Sequence, residues 1–289
     1  MTIPTKQLAN GFGMPVFGLG TWQMGGKETR DENNNDARDV SAIRFAIDAG
    51  ITHIDTAERY AEGRAEELVG EAVKSYNRAN LFLVSKAGAG HLNYADIKLA
   101  CKNSLARLQT SYLDLYLLHR YPPQGKLEEC LRAMNELVDE GLIKNIGISN
   151  FNLEHTRQAQ SLSRYPIVAT QVHYNLLSRE PEVSGLLEYC QKNDILLIAW
   201  RPVAKGTLTE PGIPVVDELC KKYGKTPAQV ALNWLMSQQN VVTLAKTSTQ
   251  EHLQENLGAV GWQIDGHDLE RLRKEFPNQE MVSSTIPLA

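Results

Sequence analysis

Eight short apolar runs recur along the chain, and they restrict its fold more than any other feature of the sequence. Each run has four to six residues and is rich in β-branched or aliphatic side chains, which is typical of strands buried in a parallel sheet. The runs lie at residues 16–20, 52–55, 81–85, 113–118, 144–148, 168–172, 195–200 and 241–245. Segments with helical spacing separate them, and strands that alternate with helices predict a parallel sheet with right-handed crossovers.

The intervening segments have the periodicity of amphipathic helices. Val40 and Ile43 begin a repeat of three and four residues that ends before Gly50, a residue suited to a helix end. Further helices are predicted at 127–137, 215–223, 228–236 and 268–276. An Asn10-Gly11 pair between two extended segments predicts an N-terminal β-hairpin. Eight βα units with a final helix predict a closed (β/α)8 TIM barrel of the α/β class.

The chain length leaves two alternatives to a single barrel. At roughly 150 residues per domain the chain would hold about two domains, but a (β/α)8 barrel typically fills about 250 residues. An open Rossmann sheet would need Gly-x-Gly-x-x-Gly directly after a strand. The sequence Gly18-Leu-Gly20-Thr-Trp-Gln23 breaks that pattern at its final position. We therefore predict one barrel domain spanning 1–289, with the Rossmann sheet as the second choice.

Charge and cysteine content exclude several classes of protein. With 30 Lys and Arg against 34 Asp and Glu, the net charge is −4, so the cation excess of nucleic-acid binders and polybasic membrane anchors is lacking. The four cysteines are widely spaced and form no Cys-x-x-Cys pair, which argues against a zinc site or a disulfide framework. No apolar stretch approaches the roughly 18 residues of a membrane helix. These features predict a cytoplasmic protein without metal, nucleic-acid or membrane partners.

Polar residues follow three neighbouring strands at the end where barrel enzymes build their active sites. The second strand ends in Asp55, with Tyr60 just beyond it. Lys86 follows the third strand and His119 follows the fourth. A neighbouring Lys86 would lower the pKa of the Tyr60 phenol, and Asp55 would keep Lys86 charged. This set fits proton donation to a carbonyl oxygen and needs a hydride from elsewhere, although each residue alone also fits a capping or surface role.

The second half of the barrel offers groups for a nicotinamide cofactor. Ser149 and Asn150 follow the fifth strand, Gln171 belongs to the sixth, and Trp200 ends the seventh. Amide and hydroxyl groups can bond a carboxamide, and an indole can stack on a nicotinamide ring. Residues 246–249 lie where barrels commonly bind phosphate, although an ordinary helix cap explains this stretch equally well.

With these positions in place, the sequence resembles the aldo-keto reductases over almost its whole length. The motifs that carry the resemblance are Ile54-Asp-Thr-Ala-Glu-Arg-Tyr60, Glu66-Glu-Leu-Val-Gly70, Val84-Ser-Lys86, Leu117-Leu-His119, Gly147-Ile-Ser-Asn-Phe151, Gln171 and Glu255-Asn256. The resemblance implies reversible, NAD(P)H-dependent reduction of aldehydes or ketones by hydride transfer from nicotinamide C4. It implies that Tyr60 is the general acid, with Lys86 and Asp55 tuning its pKa. It also implies that His119 orients the carbonyl.

The resemblance further implies which residues surround the cofactor. Those near the nicotinamide would be Gly20, Thr21, Trp22, Asp55, Ser149, Asn150, Gln171 and Trp200. Those along the pyrophosphate would be Arg201, Pro202, Val203 and Lys205, and those around the adenosine end Lys246, Thr247, Ser248, His252, Glu255 and Asn256. Lys246 favours NADPH. NADH stays open because His252 replaces an arginine that many relatives use against the 2′-phosphate.

The chain departs from the family pattern at several positions. Ala61 stands where a glycine commonly follows the acid tyrosine, and Arg201 where a serine commonly follows the stacking aromatic residue. That aromatic residue is Trp200 rather than tyrosine, which preserves stacking. The candidate substrate contacts are Trp22, Arg59, Arg120 and Tyr121. Short segments after the fourth and seventh strands predict an open pocket for small carbonyl substrates.

Two other functions fit the same residues. A redox-sensing regulatory subunit, similar to the potassium-channel β subunits of the family, would keep the cofactor site and act on a partner. A barrel aldolase would instead use Lys86 as a Schiff-base amine. In each case we expect a monomer or a weak oligomer.

Overall fold

The eight predicted strands close into a barrel. The computed structural model describes residues 2–123, 125–247 and 249–289. Its strands are β1 (Thr5–Gln7), β2 (Gly13–Pro15), β3 (Phe17–Gly20), β4 (His53–Asp55), β5 (Phe82–Ala87), β6 (Leu115–Leu118), β7 (Ile146–Ser149), β8 (Ile167–His173), β9 (Leu196–Trp200) and β10 (Val241–Ala245). From β3 to β10 each strand pairs in parallel with the next, and β10 pairs with β3. The TIM barrel is confirmed, and the open Rossmann sheet is wrong.

Helices cover the outside of the barrel. Within the described ranges they are α1 (Asp36–Asp48), α2 (Arg64–Val73), α3 (Tyr94–Leu108), α4 (Leu127–Asp139), α5 (Leu153–Leu162), α6 (Glu180–Val183), α7 (Leu186–Lys192), α8 (Pro214–Tyr223), α9 (Pro227–Ser237), α10 (Gln250–Leu257) and α11 (Gly266–Glu275). Short 3₁₀ helices lie at Tyr60–Gly63, Arg78–Asn80 and Ala204–Thr209. The five helices predicted from periodicity correspond to α1, α4, α8, α9 and α11. Gly50 follows α1 with φ +105°, and its N–H donates to Ile47 O at 2.9 Å, as expected of a helix-ending glycine.

The predicted hairpin, β1 and β2, closes the end of the barrel opposite the rim where the strands end in their carboxyl termini. Leu8, Phe12 and Met14 of the hairpin belong to the same apolar cluster as the barrel-lining residues. Lys6 donates from Nζ to Met236 O at 2.7 Å and to Val241 O at 2.5 Å, and it also contacts the Gln238 carbonyl. The hairpin therefore tethers the start of the chain to the beginning of β10.

Alternation along the strands decides which side chains reach the rim. On β5, Phe82 and Val84 line the lower interior of the barrel with the hairpin, and Lys86 follows them on the same face at the carboxyl end. The interior below the rim is mostly apolar, with Leu115, Leu117 and other members of that cluster, and the buried His53 lies edge to face with Phe82. Within the described ranges, no helix combines the length and the apolar character needed to cross a membrane.

Candidate active site

Lys86 lies at the centre of the rim and is fully shielded from solvent, with a side-chain exposure of 0%. Its Nζ donates to Asp55 Oδ1 at 2.6 Å and to Thr56 O at 2.7 Å, and lies 3.3 Å from the Tyr60 hydroxyl. Burial lowers the pKa of Lys86, but the Asp55 carboxylate and the Tyr60 hydroxyl together raise it above its ordinary value. The group is therefore an ammonium ion whose three donor directions point at three oxygen atoms.

Asp55 connects three strands of the barrel. Its Oδ2 accepts a hydrogen bond from Gln171 Nε2 at 2.7 Å, while its Oδ1 accepts from Lys86. Its main-chain oxygen accepts from both the N–H and the Oγ1 of Thr21, each at 3.0 Å. Because the carboxylate is only 2% exposed and has donors on both oxygens, its orientation is fixed before any ligand binds.

Tyr60 begins a 3₁₀ turn that holds its hydroxyl over Lys86. Ala61, the next residue, has φ +48°, and its N–H donates to Lys27 O at 2.8 Å. The departure from glycine at this position thus places an alanine in the left-handed region, at a cost of roughly 1–2 kcal/mol. The Tyr60 ring meets Trp22 edge to face, with ring centroids 5.0 Å apart.

The net shift of the Tyr60 pKa is upward, although Lys86 lowers this pKa as the sequence predicts. Burial raises the pKa of the phenol above its ordinary value, and the opposing effect of the Lys86 charge does not cancel that rise. The sequence reasoning gave the contribution of Lys86 in the right direction but left out desolvation, which is the larger effect. The consequence is a phenol that stays protonated at neutral pH.

His119 follows β6 beside Tyr60, with ring centroids 5.9 Å apart. Burial, followed by the charges of Lys86, Arg59 and Arg120, holds the pKa of His119 well below its ordinary value. The imidazole is therefore neutral. Its Nδ1 is buried and has no hydrogen-bond partner among the described residues.

The carboxyl ends of β7, β8 and β9 bring four candidate nicotinamide contacts together. Ser149 Oγ donates to Gln171 O at 2.9 Å, and Asn150 Nδ2 donates to Ser149 Oγ at 3.0 Å. Trp200 Nε1 donates to Asn150 Oδ1 at 3.3 Å. Asn150 reaches these partners in a left-handed conformation, with φ +61°. These side chains form one connected network with Asp55 and Lys86.

The candidate pyrophosphate residues follow β9 in a tightly turned segment. Arg201 and Lys205 both have positive φ, at +56° and +57°. The Arg201 guanidinium lies 5.2 Å from the Trp200 ring, and its Nη1 donates to Thr285 Oγ1 at 2.5 Å. Pro202 is buried, Val203 is half-buried and Lys205 is exposed.

The candidate adenosine-end residues surround the start of α10. Thr249 caps this helix by accepting from the His252 N–H at 3.4 Å, and the Thr249 N–H lies 3.3 Å from Thr247 Oγ1. Lys246 and His252 are exposed, and Glu255 and Asn256 are partly buried on the helix. Gly20 pairs with Asp55 across β3 and β4, at the rim. Ser248 lies outside the described residues.

The candidate substrate residues differ in the contacts that their side chains already make. Arg59 forms an ion pair with Glu28 at 2.6 Å, and Arg120 is exposed. Tyr121 stacks on His155 at 3.5 Å and donates from its hydroxyl to Gln158 Oε1 at 3.0 Å. Trp22 alone of the four makes a ring contact with Tyr60 in the described structure.

The sequence reasoning missed His173, which contacts this rim, and two residues linked to it by successive hydrogen bonds. His173 stacks on Trp200, Ser283 hydrogen-bonds to His173, and Glu180 holds the backbone around Ser283. Ser283 is 110 residues from His173. No local pattern signals such a contact, although His173 could have been noticed as the polar residue that ends the sixth strand.

The chain is similar to known proteins over nearly its full length. The model of the aldo/keto reductase family matches residues 16–275. Methylglyoxal reductase YeaE of Escherichia coli (strain K12) is 35% identical over 275 residues, which are 94% of each sequence. The structure of a thermostable aldo-keto reductase in complex with the inhibitor epalrestat is 43% identical with a TM-score of 0.90, covering 94% of this chain and 99% of that one. An aldo-keto reductase from Klebsiella pneumoniae in complex with NADPH is 34% identical with a TM-score of 0.85, covering 99% of each chain.

Proposed function

The chain belongs to the aldo/keto reductase family and is an NAD(P)H-dependent oxidoreductase, and from this premise we propose that it uses NADPH to reduce small aldehydes and ketones, reversibly, with Tyr60 as the proton donor. One observation carries the proposal. The buried Lys86 ammonium lies 3.3 Å from the Tyr60 hydroxyl and is held in place by Asp55.

The residues present suit a nicotinamide dinucleotide. Two carboxamides and a hydroxyl, from Gln171, Asn150 and Ser149, offer the donors and acceptors that a nicotinamide carboxamide needs. The Trp200 indole offers a flat apolar surface beside them. Lys205 and Lys246 supply cations for phosphates, and the start of α10 supplies backbone N–H groups. When bound, NADPH supplies the hydride.

Proton transfer is assigned to this chain's own side chains. Tyr60 donates its hydroxyl proton to the carbonyl oxygen as negative charge develops there, which its raised pKa permits because the phenol remains protonated. The Lys86 ammonium stabilises the resulting phenolate, and Asp55 keeps that ammonium charged. Neutral His119 donates a hydrogen bond to the same oxygen and so orients the substrate. Substrate contact by Trp22 is part of the proposal.

The preference for NADPH rests on residues at the adenosine end. Lys246 provides an exposed ammonium beside the capped start of α10, where a 2′-phosphate would find both charge and N–H donors. His252 supplies less charge than an arginine would, so we expect the preference over NADH to be moderate. We include a cytoplasmic location in the proposal because all four cysteines are free thiols, as in a reducing compartment.

The same geometry disfavours an aldolase. A Schiff-base lysine must be a neutral amine that can reach its substrate, whereas Lys86 is a shielded ammonium with three oxygen partners. Borohydride treatment in the presence of a carbonyl substrate should leave Lys86 unmodified. Covalent trapping of substrate on Lys86 would overturn the proton-transfer mechanism.

The proposed function is tested by titration with NADPH and NADH, followed by a screen of small aldehydes that includes 2-oxoaldehydes such as methylglyoxal. We expect saturable binding of both cofactors, tighter for NADPH, and oxidation of NADPH by several members of the panel. Tight binding with no turnover on any carbonyl would support the redox-sensing subunit instead. Failure to bind either cofactor would refute both functions.

A further inference from the structure

His173 and Trp200 lie face to face at the ends of neighbouring strands. They are register partners on β8 and β9, and their ring centroids are 4.5 Å apart with an interplanar angle of 14°. His173 is 7% exposed, whereas the indole is half-buried. The imidazole therefore supports one face of the aromatic side chain that the proposed function assigns to nicotinamide stacking.

The hydrogen bonds around His173 determine its tautomer. Asn175 Oδ1 accepts from the N–H groups of Leu177 and Ser178, at 2.9 and 2.8 Å, so the Asn175 amide nitrogen faces His173 Nε2 at 3.3 Å. Nε2 is then an acceptor, and the ring proton must be on Nδ1. From there it is donated to Ser283 Oγ at 2.6 Å. His173 thus has a directed bond to a residue far along the chain.

Ser283 is the anchor of the segment 281–289, all of which the structure describes. It is the one buried residue of that segment, at 4% exposure. Its Oγ also accepts from the N–H of Ile286 at 3.1 Å, and its N–H donates to Glu180 Oε2 at 2.9 Å. The segment also packs Leu288 against the apolar core, and the Ala289 N–H donates to Asn150 O at 3.1 Å. It lies beyond residues 16–275, which the family model matches.

The same segment contacts the residue that follows Trp200. Arg201 Nη1 donates to Thr285 Oγ1 at 2.5 Å, and Arg201 O accepts from Asn175 Nδ2 at 2.7 Å. Asn175 in turn contacts His173. Trp200 and Arg201 are thus both linked to segment 281–289, one through stacking on His173 and the other directly.

We propose that His173 is a positioning residue that locks segment 281–289 through Ser283 and thereby fixes the Trp200 indole as the platform for the nicotinamide. The inference rests on the proposed function for the identity of the ligand. The Trp200 platform contacts the nicotinamide half of the cofactor, which is the same in NADPH and NADH. Loss of the His173–Ser283 bond therefore raises the dissociation constants of NADPH and NADH by the same factor.

The test compares two variants with a matched control. His173→Phe keeps an aromatic ring against Trp200 but removes the bond, and Ser283→Ala removes the hydroxyl while His173 stays. Ser284→Ala is the control, because Ser284 is an exposed neighbour whose hydroxyl contacts Glu280 instead. Hydrogen exchange of segment 281–289 is measured without cofactor, and dissociation constants for NADPH and NADH are measured by fluorescence.

Both variants should speed exchange in segment 281–289 and raise the dissociation constants of NADPH and NADH by about 5-fold, the effect of losing one net hydrogen bond. The double variant should match either single variant, because both remove the same interaction. Ser284→Ala should behave as wild type. If His173→Phe fails to fold, Ser283→Ala alone carries the comparison with the control.

The proposal is overturned if Ser283→Ala behaves like Ser284→Ala, if the two single effects add in the double variant, or if only NADPH binding weakens. It is equally overturned if exchange in the segment is unchanged. Failure of the proposed function would look different. Wild-type protein would then bind neither cofactor, while the exchange measurements would still decide whether His173 locks the segment.

Discussion

At the residue scale, a single buried ammonium organises the rim that holds the candidate active site. Lys86 contacts Asp55, Thr56 and Tyr60 and is closed to solvent, so its charge is screened only by these partners. The Tyr60 phenol is half-buried beside it, and desolvation holds its pKa above the ordinary value, so it keeps its proton. In the proposed reaction the proton leaves Tyr60, and the resulting negative charge lies beside Lys86.

Replacement of Lys86 by a neutral residue should lower both the stability of the fold and the rate of turnover. In Lys86→Met the Asp55 carboxylate loses its cation, and we expect the free energy of unfolding to fall by about 3–5 kcal/mol, the usual effect of breaking a buried pair. Turnover should fall as well, because the Tyr60 phenolate loses its counter-charge. Chemical denaturation and steady-state kinetics measure the two effects.

The matched control for that variant is the double variant Lys86→Met/Asp55→Leu. Because it removes both charges, it should recover most of the lost stability and none of the lost turnover. Recovery of turnover in the double variant would show that Lys86 matters only as a structural partner of Asp55.

The pH dependence of reduction follows from the directions of the two pKa shifts. The pKa of Tyr60 is raised, so its acid form is lost only as the pH rises past the ordinary range of a phenol. The pKa of His119 is lowered, so its neutral form persists well into the acidic range. We expect kcat/KM for aldehyde reduction to be level through neutral pH and to fall on the alkaline side. An inflection near the ordinary imidazole value of about 6.5 would contradict this assignment.

At the element scale, the carboxyl ends of the strands bring the chemistry together and the hairpin closes the other end. Six consecutive barrel strands, β4 to β9, each have a side chain of the candidate site among their last three residues or directly after them. The hairpin is held by Lys6, whose ammonium lies among three carbonyl groups near the start of β10. The two ends of the barrel should therefore respond to different substitutions.

Lys6→Met should destabilise the fold without disturbing the site. Its carbonyl partners lose their donor, and we expect the free energy of unfolding to fall by about 1–3 kcal/mol. Cofactor affinity should be unchanged because the hairpin lies opposite the rim. Lys102→Met, at an exposed position on α3, is the control. A change in NADPH affinity in Lys6→Met, with Lys102→Met normal, would show that the hairpin does influence the rim.

The elements were predictable because each is encoded locally. An apolar run predicts a strand and a three-to-four repeat predicts a helix, and a closed barrel then brings Asp55, Lys86 and His119 to one rim. The contact between His173 and Ser283 was not predictable, since it joins residues 110 positions apart in an irregular segment. The net shift of the Tyr60 pKa was missed for a similar reason. It depends on how completely the folded protein shields the phenol, which spacing along the chain does not reveal.

At the scale of the whole molecule, a chain with net negative charge places three cations after two neighbouring barrel strands. The net charge is −4, yet Arg201, Lys205 and Lys246 all follow the last two barrel strands. NADPH concentrates its negative charge in the pyrophosphate and the 2′-phosphate, so a few cations placed near these groups are sufficient to attract it. The overall acidity and the affinity for an anionic cofactor are compatible for this reason.

Lys246 and Lys205 should differ in what they recognise. Lys246→Ala should lower the affinity for NADPH by about 10- to 100-fold, as expected for a charge-assisted bond, and leave the affinity for NADH nearly unchanged. Lys205→Ala is the matched comparison. It should lower the affinity for both cofactors by the same factor, because both contain the pyrophosphate. Equal losses of NADPH and NADH in Lys246→Ala would count against a 2′-phosphate contact.

The most direct test of the central claim is the single-turnover rate of NADPH oxidation by a small aldehyde in Tyr60→Phe and in wild type. Phenylalanine keeps the ring against Trp22 and removes only the hydroxyl above Lys86. We expect the rate to fall by about 100-fold or more, as for loss of a general acid, while the dissociation constant for NADPH stays the same. A variant that reduces the aldehyde at the wild-type rate would contradict the assignment of Tyr60 as the proton donor.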